Sequence, residues 1–133
     1  AVGDAAVGLS VTAHWNTDFD NAANKKFVEA WTKAYNRAPT YYASQGYDAA
    51  LAIASALKAT GGKTDVPALR TAMAKADFQS VRGAFKFGPN QHPVQDWYAL
   101  KVEKGADGAP VLKTTGTKVL SNHGDVYAKD CKL

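Results

Sequence analysis

The side chains best suited to hold a small molecule fall into two short clusters. His14 and Trp15 directly follow an alternating segment, Val7 to Ala13, while Tyr42, Gln45 and Tyr47 precede or open an Ala-rich stretch. An indole offers a flat face to an aromatic ligand, and an imidazole can donate a hydrogen bond to a carboxylate. Gln45 carries both a donor and an acceptor, and the tyrosines add ring faces and a hydroxyl. In open α/β folds ligands sit beyond the carboxyl ends of strands, where His14 and Trp15 fall. These five residues are the ligand-binding candidates. The competing roles are plain: Trp15 as packing, His14 as an exposed ring, Tyr47 as core.

Bond-making chemistry has no comparable constellation. There is no Gly-x-Ser-x-Gly elbow and no phosphate-cradling glycine loop. His14, His92 and His123 lack metal-ligand spacing, and Asp18 and Asp20 lack the other ligands of a calcium loop. No metal, no cofactor and no enzymatic activity are expected. Cys131 is the one cysteine, so it cannot form an internal disulfide. It reads as a free thiol or as half of a bridge to a cysteine outside this chain, which fits an oxidising compartment.

The elements that must position these residues are legible from period and punctuation. A strand is expected over Val7 to Ala13. A helix starts at Asp20 or Asn21, with Ala23, Phe27, Ala30, Trp31, Ala34 and Tyr35 as its apolar stripe, and stops before Pro39. Tyr41 to Gly46 reads as an extended or turning link. A second helix, about Tyr47 to Lys58, is apolar nearly all round, as a helix buried between layers would be, and Gly61-Gly62 ends it. A third helix starts at Thr64 or Asp65 and buries Leu69, Met73 and Ala76. Gly83 to Phe87, Gln95 to Glu103 and Val111 to Leu120 read as strands, the last two as a hairpin. The loop Gly88 to Pro93 is rigidified by its prolines.

Length and charge set outer limits. The 133 residues are 46% apolar and 21% charged, a globular composition with material for one core. Sixteen basic residues face twelve acidic ones, giving +4, but only Lys25-Lys26 are adjacent. A nucleic-acid face concentrates its charge, so no nucleic-acid partner is expected. No apolar run is long enough to span a bilayer. The chain opens at Ala1-Val2-Gly3-Asp4 and reads as the interior of a longer protein.

An ordered set of motifs then resembles a known family. It comprises Phe27-Val28 with Tyr35 and Pro39, Gln45-Gly46-Tyr47-Asp48-Ala49-Ala50, the Ala-rich helix with its Gly-Gly end, and Phe78 to Gly88. Together they resemble the C-terminal third of the branched-chain amino acid binding proteins, type I periplasmic binding proteins of the leucine-binding family. The stretches Phe87 to Tyr98 and His123 to Lys132 look like a subgroup associated with aromatic carboxylates, with branched-chain amino acids remaining open.

The resemblance implies an α/β fold of two lobes joined by three crossings, with ligand bound in the cleft between them. Residues 1–13 would be a lobe 2 strand, 18–87 helices and a strand of lobe 1, 88–94 a crossing, and 95–133 a returning lobe 2 hairpin and tail. Asn16, Pro89, Asn90, His92 and Pro93 would be hinge residues, and the region of Tyr42 to Tyr47 would lie beside the cleft. The implied partners are a small carboxylate, the membrane permease of an ABC-type transporter and the missing N-terminal portion of the same protein. The implied location is periplasmic, after secretion. A sensory ligand-binding domain of the same fold, a non-binding scaffold fragment and a small α/β enzyme are the rival readings.

Overall fold

The computed structural model describes residues 2–131. Ala1, Lys132 and Leu133, which belong to the terminal stretches assigned above, lie outside the described residues.

The chain is mixed α/β. A short 3-10 turn, Gly3–Ala6, leads into β1 (Ser10–Ala13). Three helices follow, α1 (Ala22–Tyr35), α2 (Tyr41–Ala59) and α3 (Val66–Ala74). Then come β2 (Lys86–Phe87), β3 (Pro93–Lys104), β4 (Pro110–His123) and a 3-10 turn at Ala128–Asp130.

Each helix starts on a side-chain cap, worth about 1 kcal/mol apiece. Asn21 accepts from the Asn24 amide, Thr40 from Ala43 and Asp65 from Ala68. The Thr40 cap explains the main departure from the sequence reading. Tyr41 to Gly46, expected as a link, is the first turn and a half of α2. Gly46 is tolerated mid-helix, at a cost near 1 kcal/mol.

The buried faces also differ from those expected. In α1 only Asn24 and Phe27 are fully buried, while Ala30, Ala34 and Tyr35 are exposed. In α2 the buried stripe is Ser44, Asp48, Ala52 and Ala56, one residue per turn, and the rest of the helix is open or half-covered. In α3 Ala72 is buried, whereas Met73 is exposed and Ala76 lies beyond the helix at φ 48°. The strand expected at Gly83 to Phe87 keeps only its last two residues.

β3 is the centre of the sheet, and every pairing is antiparallel. Ser10 to Ala13 face Lys101 back to Tyr98, Lys86 and Phe87 face Val94 and Pro93, and β4 runs along the other side of β3. The β3–β4 ladder is irregular between Gln95 and Leu100. Asp96 fills one irregularity by accepting the Asn122 amide at 2.8 Å and pairing with Lys118 at 2.6 Å. The Lys118 hydrogen bond, with that amide, holds its carboxyl below the usual carboxylate range.

The aromatic core joins the first turns of the helices to β3 through Tyr98. Trp15, Phe19, Phe27 and Val81 form it, with Val28, Trp31, Tyr41, Ala43, Tyr47 and Tyr98 packed around them. It fills the junction where the segment after β1, the first turns of α1 and α2, and the turn before β2 converge.

Candidate functional site

α2 begins at this junction, so its first turns present side chains beside the end of β1. Tyr41 points inward. Its hydroxyl lies 2.9 Å from Nε2 and 3.0 Å from Nδ1 of His14. Gln45, one turn on, approaches the same hydroxyl. The His14 ring meets the edge of Trp97 from β3 at 4.9 Å between centroids. Tyr42 points outward and is 84% exposed, its ring 6.0 Å from that of Tyr41. Tyr41, Gln45, His14 and Trp97 therefore make one aromatic, hydrogen-bonding wall, with Tyr42 exposed beside Tyr41.

His14 is 7% exposed. Burial, reinforced by the nearby Arg82 charge, lowers its pKa to about 4. The ring is neutral at neutral pH and can offer one donor and one acceptor. Burial pushes the Tyr41 hydroxyl up, with Arg82 opposing, so Tyr41 is a neutral phenol.

Trp15 and Tyr47 fall on the far side of this wall. Trp15 is buried in the core, its Nε1–H donating to Asn24 Oδ1 at 2.7 Å. Tyr47 stacks on Phe27 at 4.7 Å and edges a groove of about 570 Å³ between α1 and α2, lined also by Lys26, Leu51 and Ser55. The structure thus brings His14 and Gln45 together at the Tyr41 hydroxyl, leaves Tyr42 exposed beside Tyr41, and places Trp15 and Tyr47 in and against the aromatic core.

The two segments read as hinges are each stapled to the end of the sheet. Asn16 donates to Asp18 Oδ1 at 2.7 Å and to the Leu112 carbonyl at 3.0 Å. Asp18 accepts both the amide and the hydroxyl of Thr114, at 2.9 and 2.6 Å. In the second segment Asn90 donates to Asp125 at 2.6 Å, and the exposed His92 ring lies 3.5 Å from the same carboxylate. Pro89 is exposed and Pro93 opens β3 opposite Phe87. Cys131 is an exposed thiol. No group of three or more His, Cys, Asp or Glu able to hold a metal lies together among the described residues.

Tyr41, Trp97, Asp48 and Arg82 were not among the sequence candidates. Tyr41 was hidden by the link assigned there, and Trp97 by its place in a strand. Asp48 had a usable signal, since it is the one charge on the Ser44–Asp48–Ala52–Ala56 stripe. It accepts Ser80 Oγ–H at 2.6 Å and the Val81 amide at 3.0 Å, and it pairs with Arg82.

Known proteins resemble this chain in sequence and fold. Residues 1–109 match the family described as periplasmic binding protein. The Leu/Ile/Val-binding protein homolog 6 of Brucella abortus is 35% identical over 111 residues, 81% of this chain and 28% of the relative. A solute-binding protein of an ABC transporter from R. palustris, solved with benzoate, is 36% identical, with a TM-score of 0.75 over 98% of this chain and 34% of its own. A second, from Rhodopseudomonas palustris BisB5 with 3,4-dihydroxybenzoic acid, is 34% identical with a TM-score of 0.79, covering 91% of this chain and 33% of its own. The chain spans about a third of the length of these relatives.

Proposed function

Since the chain belongs to the periplasmic binding protein family, a family of binders and not of enzymes, we propose that it forms one wall of the ligand cleft in a solute-binding protein that captures an aromatic carboxylate. The observation that carries this reading is the 36% identity, over 98% of the chain, to a solute-binding protein solved with benzoate. The His14–Tyr41–Trp97 wall supports it, because ring edges and a phenol suit a flat ligand with a polar end. Tyr42 and Gln45 are then the contacts nearest the ligand. Trp15 and Tyr47 act behind them through packing.

In this reading residues 1–13 and 95–133 belong to one lobe, 18–87 to the other, and 88–94 to a crossing. The pairing of β1 with β3 supports grouping the first and last of these. Asn16, Pro89, Asn90, His92 and Pro93 serve the hinge, the lobes closing on ligand. The remainder of a longer chain supplies the opposite wall, a permease receives the ligand, and the protein works in the periplasm, where Cys131 pairs with a cysteine outside this segment.

A second reading, a branched-chain amino acid as ligand, is favoured by the 35% identity to a Leu/Ile/Val-binding protein homolog. A thermal-shift and calorimetric screen of the full-length protein separates the two. Benzoate or a hydroxybenzoate raising the melting temperature, with leucine inert, is the expected result. The reverse pattern moves the assignment to amino acids. No response to either class sinks both and leaves the sensory or scaffold alternatives.

A further inference from the structure

We propose that Arg82 is a positioning residue for this cleft wall: its buried guanidinium braces α2 against β3 and so fixes the spacing between Tyr41 and Gln45 on one side and Trp97 on the other. The proposal rests on the cleft reading above.

The Arg82 side chain reaches from the turn before β2 to the start of β3. Its side chain is 9% exposed, and Nη1 donates to Gln95 Oε1 at 2.8 Å. Nε lies 3.3 Å from Asp48 Oδ2, a charge contact without an aligned hydrogen bond. Asp48 is held in turn by Ser80 Oγ–H and the Val81 amide, and the Ser80 oxygen accepts the Arg82 amide at 3.1 Å. The guanidinium also lies over the Phe85 ring at 5.2 Å. The result is one polar chain from the middle of α2, through the 80–82 turn, to the start of β3.

A buried guanidinium with a single counterion is costly to maintain for stability alone, since apolar groups of similar volume often serve as well. What it supplies is a fixed distance. Tyr41 stands two turns before Asp48 on α2, and Trp97 stands two residues after Gln95 on β3. Within the wall His14 sits between Tyr41 and Trp97, near the Arg82 charge. Loosening the brace therefore changes both the room for a ring and the solvation of His14.

The test uses Gln95→Met, which removes only the β3 end of the brace, and Arg82→Lys, which keeps the charge and loses the fork, both in the full-length protein. Benzoate and 3,4-dihydroxybenzoate affinities are measured, and the His14 titration is followed by NMR without ligand. Expected for both variants is about a ten-fold loss of benzoate affinity, a smaller ratio between the two ligands, and a His14 pKa that rises from about 4. Unchanged ligand ratio and unchanged His14 titration, with only a lower melting temperature, overturn the proposal. If the wild type binds no aromatic acid, the cleft reading falls, and the His14 titration in Gln95→Met alone decides the brace.

Discussion

At the scale of single residues, His14 and Asp48 carry the measurable consequences. His14 titrates near 4 in the folded chain, against an ordinary 6.5. The unfolded chain therefore binds the proton first as pH falls, so stability is full above about 6.5 and declines toward pH 4. The loss should reach no more than about 3 kcal/mol. Urea melts between pH 7 and 4 should show it, and His14→Gln should flatten that part of the profile. A profile equally steep in the variant would assign the acid limb to other groups. Asp48 stands among four groups that need it: Ser80, the Val81 amide, Arg82 and, through Arg82, Gln95. Asp48→Ala leaves the Arg82 charge buried without its counterion and should cost about 3–5 kcal/mol. Asp48→Asn keeps the shape and should cost less. Chemical denaturation of both variants checks the ranking.

At the scale of elements, Asn24 is the residue on which α1 meets the segment after β1. It is fully buried, accepts Trp15 Nε1–H, and donates to the carbonyls of Asn16, Thr17 and Phe19. Asn24→Leu keeps the volume but orphans an indole donor and several carbonyls, so a loss of about 3 kcal/mol is expected. A changed Trp15 emission should accompany it. Loss within a few tenths of a kcal/mol would mean that water replaces the amide. This residue also marks where sequence reading ran out. The helix, its start at Asp20 or Asn21 and the apolar Phe27 were legible from period and capping chemistry, and the structure puts the cap on Asn21. Asn24 looked like an ordinary polar position because its partners are backbone carbonyls from another segment, which no periodicity records. The start of α2 failed for a related reason. Tyr41 to Gly46 has weak helix propensity and a glycine, and packing of Tyr41 against His14 and of Tyr47 against Phe27 overrides it. Of the candidate wall, His14 and Gln45 could be read from residue type and position, as could Tyr42 beside it. Trp97 could not, because its role depends on which face of β3 the irregular ladder turns toward His14.

At the scale of the whole molecule, the sheet leaves part of an apolar face exposed. Val11 is directly opposite Leu100, and Leu112 is opposite Val102, so the four share one face. Leu100 is buried, yet Leu9 and Val11 are 56% and 44% exposed, and Leu112 is exposed too. A hollow of about 560 Å³ lined by Ala6, Val11, Val102 and Leu112 lies there. The 3-10 turn Gly3–Ala6 lines the hollow, and no residue of α1, α2 or α3 does. This chain spans about a third of its solved relatives, and under the function proposed above the remainder of a longer protein would cover the face. The 133-residue chain alone should then hide the face by self-association, with a sedimentation mass above that of the monomer. Val11→Lys combined with Leu112→Lys should shift the isolated chain toward monomer, because each lysine resists burial without a partner. In the full-length protein the same pair should do the opposite of help and lower the melting temperature by more than about 5 °C. Opposite signs in the two contexts identify the face as an internal packing surface. A strictly monomeric, cooperatively unfolding 133-residue chain, indifferent to both lysines, would mean that the exposed face is solvated by design and that this segment is stable on its aromatic junction and antiparallel sheet alone.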